Sequence, residues 1–328
     1  MKKETLKITL FIAGLLLIQA FISDLSMPPE IKNFRKYLKN GVDCLYFCDS
    51  VMRFYTRGDT GKKPIIDLIK DSKPGFTIEA VDHPAYNLDI YYSYCRAILD
   101  SKKRPKAVII PVSLYSLSAE WLRPSYKFEL EQAALQSSSI LNRLFYRNIA
   151  ALKKKPITTA QFLDTPVYLG DIIAGKVRDF DNKSFEKYSD DNFRKKIISR
   201  YMYYADENNP KIQSLEKIMD IMKDSGVIMV FYIPPVDYET CGDFYGPEFL
   251  KTVDRNIAFV AGKVRAGGCE FLDYSRLLKK DSFAWKETFY VNEHLDYKGR
   301  SGIAAALAAD MGRIFTEKKI NPAGCRKK

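Results

Sequence analysis

The stretch Leu45-Tyr46-Phe47-Cys48-Asp49-Ser50-Val51-Met52-Arg53 decides how the rest of the chain is read. Its first half is a short, continuous apolar run, the signature of a strand buried on both faces. The run stops at Asp49-Ser50, two residues that favour a helix start, and helical pattern follows from Ser50 to Tyr55. A strand that feeds directly into a helix is the opening unit of a parallel α/β sheet. The counterpart lies near the other end, in Phe289-Tyr290-Val291-Asn292-Glu293-His294-Leu295, which carries one of only 2 histidines.

Working outward, the same strand–helix alternation recurs. Helical pattern resumes at Pro64–Lys70, Phe76–Val81 reads as a second strand, and Tyr86–Leu99 as a helix. Lys106–Val112 is the clearest buried strand, ended by its own Pro111. After the helix Ile212–Asp224, with Gly226 as its stop, come the strand Val227–Ile233 and the helix Phe249–Val264. The short strand Cys269–Leu272 and the Ala-rich helix Lys298–Thr316 complete the series. Five strands alternating with helices imply a parallel sheet with helices on both faces, a three-layer α/β/α fold. Between them, residues 125–205 read as a helical insertion, since so long a gap is no bare loop in a compact domain.

Residues 1–25 read as a signal anchor or a signal peptide, leaving 26–328 as the α/β domain. Lys2, Lys3 and Lys7 precede an almost wholly apolar run from Ile8 to Ile22, broken by Thr9 and Gln19. The small-residue position at Ala20 makes a poor cleavage site, because Ile18 stands two residues before it. An uncleaved anchor would keep the lysines in the cytoplasm and the body outside. The 6 cysteines (Cys44, Cys48, Cys95, Cys241, Cys269 and Cys325) are compatible with extracytoplasmic disulfides. Cys44 and Cys48 cannot pair with each other on one strand, where they lie about 13 Å apart.

Lys plus Arg number 52 against 40 Asp plus Glu, a formal charge of +12 with a pI near 9.2. That excess suits anionic partners such as phosphate-bearing polymers or lipid headgroups, and equally a generally basic solvated surface. No nucleic-acid-binding motif is present, so nucleic acid is not expected as a partner. No Cys/His group has metal-ligand spacing, and neither a metal nor a cofactor is expected. Gly58-Asp59-Thr60-Gly61-Lys62-Lys63 lacks the spacing of a phosphate-binding loop, and the Gly-x-Ser-x-Gly nucleophile elbow is missing.

Chemistry is expected beyond the carboxyl ends of the strands, where Ser50, Ser113, Asp237 and Asp273 all fall. Ser50 is placed as a nucleophile would be, with its own N–H at the helix's positive end to hold an oxyanion. The same position also suits plain helix capping by Asp49 or Ser50. A serine nucleophile needs a neighbouring base, and His294, just before the last helix, can supply it. His83, in Asp82-His83-Pro84, reads as turn chemistry on a loop after the second strand.

Phe47-Cys48-Asp49-Ser50-Val51 resembles the Gly-Asp-Ser first block of the SGNH/GDSL hydrolase superfamily, with Cys48 in place of glycine. Leu272-Asp273-Tyr274-Ser275 and the run from Phe289 to Gly299 resemble its terminal strand and last block. Val112 to Trp121 resembles the third block of membrane-anchored members. The resemblance implies a flavodoxin-like sheet, and a catalytic set of Ser50 and His294 with Asp49 beside them. It implies oxyanion or substrate contacts from Ser113, which stands where the family has asparagine, and from Ala85, which stands where it has glycine. Asn87 would replace the missing donor. Val291 occupies the position of the family's triad aspartate, so Asp273 or Asp237 is the expected orienting carboxylate. The resemblance implies an extracytoplasmic esterase or O-acyltransferase for an acylated polysaccharide or other anionic envelope polymer. The alternative is a catalytically inactive domain that binds an envelope glycan or partners with a membrane-bound acyltransferase.

Overall fold

The computed structural model describes residues 2–53, 55, 59–122, 127–136, 140–152, 158–169, 172–180, 190–284 and 294–320. After helices α1 (Lys2–Leu25) and α2 (Pro29–Asn40), strand β1 (Cys44–Cys48) runs into the single turn α3 (Ser50–Arg53) and then α4 (Ile65–Asp71). Strand β2 (Ile78–Asp82), helix α5 (Leu88–Leu99) and strand β3 (Ala107–Pro111) follow. The insertion holds α6 (Glu129–Leu135), α7 (Ile140–Leu152), α8 (Thr159–Leu163), strands β4 (Pro166–Leu169) and β5 (Ile172–Lys176), α9 (Val177–Phe180) and α10 (Asp190–Tyr201). The body resumes with α11 (Pro210–Met222), β6 (Ile228–Ile233), α12 (Tyr238–Ala266), β7 (Glu270–Asp273) and α13 (Tyr297–Glu317).

The main sheet has 5 strands in the order β2-β1-β3-β6-β7, and every pairing is parallel. Every residue of β1 and β3 is buried, which is why both read as unbroken apolar runs; the edge strand β2 has three half-buried residues. The chain steps from β1 outward to β2, then back across β1 to β3. Right-handed crossovers in opposite directions put their helices on opposite faces. Accordingly α4 packs against α13, whereas α5 packs against α11, and α11 against α12. The result is the expected three-layer α/β/α arrangement, with the flavodoxin-like strand order.

The insertion is mostly helical and also holds one short strand pair. β4 and β5 form an antiparallel pair, with an irregularity between Val167 and Tyr168. The signal was present in the sequence: apolar runs on either side of Gly170-Asp171, a pair suited to a tight hairpin. α12 is also longer than expected and is really two helices. Its backbone breaks at Gly246 (φ 54°), and Pro247 opens the second segment, where its missing N–H does no harm.

Cys44, Cys48, Cys95 and Cys241 are buried, and Cys269 is half-buried. Burial raises the Cys269 thiol to about 11 and the Cys44, Cys48 and Cys95 thiols further. Among the described residues no disulfide supports the extracytoplasmic reading; Cys325 lies outside them.

Candidate active site

The order of the strands reverses between β1 and β3, and the crevice beyond their carboxyl ends is where such sheets place ligands. β1 delivers Asp49 and Ser50 there, and β3 delivers Ser113 and Tyr115. Asp49 is only 2% exposed, and one of its oxygens accepts from the Val51 N–H at 2.9 Å. That bond closes the turn from strand to helix, so the capping role falls to Asp49 and Ser50 keeps its hydroxyl. The other oxygen accepts from the Tyr115 hydroxyl at 2.9 Å and the Ser113 hydroxyl at 3.2 Å. Burial pushes the Asp49 carboxyl above its ordinary value, and these three bonds offset part of the rise.

Ser50 Oγ lies 3.1 Å from His294 Nε2, within hydrogen-bond reach across 244 residues of sequence. The histidine is held through its own carbonyl and through the residue after it. Its carbonyl accepts from the Ala284 N–H at 2.8 Å, and Leu295 bridges to Phe283. Immediately afterwards Asp296 caps α13 through the Gly299 N–H at 2.7 Å. The ring is 7% exposed, and its pKa is drawn down from 6.5 to about 4, first by burial and then by the Arg200 guanidinium. His294 is therefore neutral at pH 7, the form a general base needs.

Arg200 was not singled out in the sequence. It comes from α10, and its Nε and Nη2 donate to the two oxygens of Glu120 at 3.2 and 3.4 Å. Lys196, one turn earlier on α10, also lies 3.7 Å from Glu120. The signal was two basic residues at i and i+4, on a helix that also carries apolar positions.

The remaining expected site residues divide. Ala85 has φ +66°, the left-handed conformation that glycine adopts more readily. Its loop begins at His83, whose N–H donates to the Cys48 carbonyl at 3.4 Å, beside the end of β1. The other expected residues make the following contacts. The Ser113 hydroxyl is committed to Asp49 instead of an oxyanion. Asn87 caps α5 through the Asp89 N–H, accepts from Lys211 Nζ at 3.0 Å and donates to the Ala85 carbonyl. Asp237 caps α12 through the Thr240 N–H, and Asp273 closes a turn onto the Ser275 N–H, so both carboxylates have local backbone roles. His83 bonds the Pro84 carbonyl at 2.7 Å and stacks on Tyr86, in keeping with turn chemistry. Val291 lies outside the described residues.

Two further surfaces complete the setting. Gly58 to Lys63, set aside as a phosphate loop, has a mechanical use from Asp59 onward. Asp59 accepts from the Tyr297 N–H and from Arg300 Nη1, and Arg300 also donates to the carbonyls of Gly61 and Lys63. Gly61 packs so closely on the Tyr297 ring that a Cβ would collide with it. A cavity of about 570 Å³ between the insertion and the body, lined by Ser118, Val167, Tyr203 and Arg255 among others, includes neither Ser50 nor His294.

No family model and no curated protein matches the chain. Among solved structures, it is similar to a catalytic variant of an acetylxylan esterase from Geobacillus stearothermophilus. That match has 12% identity over 83% of this chain and 94% of the other, with a TM-score of 0.38. It is also similar to the aryl esterase of M. smegmatis, native and inhibitor-bound. Both match at 10% identity over 82% of this chain and 97% of the other, with TM-scores of 0.36 and 0.35.

Proposed function

We propose that the protein is an extracytoplasmic, SGNH-like serine esterase or O-acyltransferase that acts on acyl esters of a cell-envelope polymer. The observation that carries this reading is the Ser50 Oγ–His294 Nε2 separation of 3.1 Å at the β1/β3 switch point. Neutral His294 takes the hydroxyl proton as Ser50 Oγ attacks the ester carbonyl. The bond from the acyl carbon to the leaving oxygen breaks, and the imidazolium returns its proton to that oxygen. Water, or a hydroxyl of the acceptor polymer, then attacks the acyl-serine with His294 again as base; the acyl–Oγ bond breaks and the imidazolium returns the proton to Ser50 Oγ. Water gives hydrolysis, and a polymer hydroxyl gives O-acyl transfer. The carbonyl oxygen that turns negative is stabilised by the Ser50 N–H and the backbone of the Ala85 loop. α3 is a single turn, so its dipole adds little.

The envelope assignment is supported by α1, an apolar helix long enough to cross a membrane, and by the net charge of +12. The commitment of the Ser113 hydroxyl to Asp49 favours the second reading, an inactive domain that binds an envelope glycan. Labelling of the folded protein with a fluorophosphonate separates the two. The expected result is labelling of the wild type, its abolition in Ser50→Ala, and a loss on the order of 10³-fold in His294→Ala. A folded wild type that takes no label would overturn the enzyme reading in favour of glycan binding.

A further inference from the structure

The polar residues of α1 are arranged against one neighbour. Most of its large apolar side chains are exposed, Phe11 at 67% and Leu17 at 72% among them. Gln19 and Ser23 interrupt that surface, and Ser26 follows the helix end; their spacing of four and then three residues keeps them on one face. All three bond α7. Gln19 Nε2 and Ser23 Oγ both donate to the Leu144 carbonyl, at 2.7 and 2.6 Å, and Ser26 Oγ lies 3.1 Å from the Tyr146 hydroxyl. The Leu144 carbonyl is open to them because α7 departs from helical geometry at the next residue, Phe145 (φ −116°, ψ 19°). A polar stripe on an apolar helix thus meets a break in a second helix.

Length places this contact relative to a bilayer. A hydrocarbon core of about 30 Å needs roughly 20 helical residues. Counted from Ile8, just after the last N-terminal lysine, such a span ends near Met27. The bonded positions 19, 23 and 26 then fall within its outer half, the deepest of them about 12 Å inside the boundary at 1.5 Å per residue. α7 cannot stand clear of a membrane that α1 crosses.

We propose that the kinked middle of α7 is seated in the outer leaflet beside α1, so that the body is held by two helices in lipid and does not swing on a tether. This rests on the reading that α1 spans the membrane. The occupant of the surface is lipid: Phe145, 37% exposed beside α1, presents an apolar ring, and Arg147, two residues on, is exposed and carries the charge that suits anionic headgroups. In hydrocarbon the amide of Gln19 needs a partner within the protein, and the Leu144 carbonyl is that partner.

The test uses the full chain in phospholipid vesicles that contain a phosphatidylcholine with a photoactivatable diazirine in its acyl chain. Adducts are mapped by mass spectrometry after illumination. Adducts on α1 and on the Leu144–Arg147 segment are expected. Adducts on α1 with none on α7 would overturn the seating of α7 while leaving the anchor intact. No adduct on α1 would overturn both together. In Gln19→Leu/Ser23→Leu, which keeps the span apolar, adducts at Phe145 should fall roughly tenfold while those on α1 and labelling of Ser50 stay unchanged. Unchanged adducts at Phe145 in that variant would overturn the role of the bonded stripe.

Discussion

Arg300 and Arg200 approach the His294 segment from different parts of the chain, the first from α13 in the body and the second from α10 in the insertion. Arg300 is 0% exposed, and its guanidinium ends on the Asp59 carboxylate and the carbonyls of Leu295, Gly61 and Lys63. Its charge is cancelled where it stands, and what remains is geometry: it ties the 59–63 strap to the residue after His294. Arg200 grips Glu120, yet its field still reaches the imidazole and lowers its pKa. The same functional group fixes position in one region and tunes protonation in the other. The difference is how completely the surrounding oxygens take up its charge.

The comparison breaks most visibly at Arg300. Arg300→Met removes the Arg300 guanidinium from Asp59, whose side chain is 2% exposed, and should cost about 3–5 kcal/mol. The urea midpoint should fall accordingly, and Arg300→Lys should recover only the Asp59 contact, since a lysine cannot reach all the carbonyls. A loss below about 1 kcal/mol, as at an exposed pair, would show that Arg300 is not what fixes the strap.

The next effect is one of pH. The folded pKa of His294, about 4, lies below its ordinary 6.5, so between these values the unfolded chain binds a proton that the folded protein does not. Stability from this residue is therefore complete above about pH 6.5 and declines as pH falls towards 4, by on the order of 3 kcal/mol. Denaturation between pH 7 and pH 4 should show that decline, and His294→Gln should remove this component. An equal decline in both proteins would mean that burial of the imidazole is not its source.

A smaller effect is expected at the base of the nucleophile turn. Tyr115→Phe removes one of the three donors to Asp49 and should destabilise by about 1–3 kcal/mol. Ser50 labelling should slow with it if Asp49 sets the turn that presents the hydroxyl. Unchanged labelling at reduced stability would confine Asp49 to the fold.

What could be read in advance follows the same division between body and insertion. β1, β3 and β6 are continuous apolar runs because both faces are covered, and a run of that kind announces its strand without any partner in view. Ser50 and His294 were legible because each stands at an element boundary, where topology fixes the position of a side chain. The roles of Ser113, Asn87, Asp237 and Asp273 were not. A polar residue near a strand end can face the crevice or cap a neighbouring helix, and only three-dimensional neighbours such as Tyr115 and Lys211 decide which. Arg200 was hidden for a related reason: it lies 94 positions before His294, in a segment whose placement over the site no periodicity encodes.

That hidden residue gives the finest test. Arg200→Gln removes the positive charge that makes the imidazolium less favourable, so the His294 pKa should rise from about 4 back towards its ordinary value, by less than about 1 unit given that burial is the larger cause. Since the neutral ring is the base, the acid limb of Ser50 labelling should move to higher pH, with rates at neutral pH little changed. Glu120→Gln should move the limb the other way, because it frees the Arg200 charge from the carboxylate that now holds it. Opposite displacements in the two variants would identify α10 as the part of the insertion that sets the protonation of the site. A limb that stays in place in both would reduce Arg200 to a packing residue, and the contrast with Arg300 would vanish.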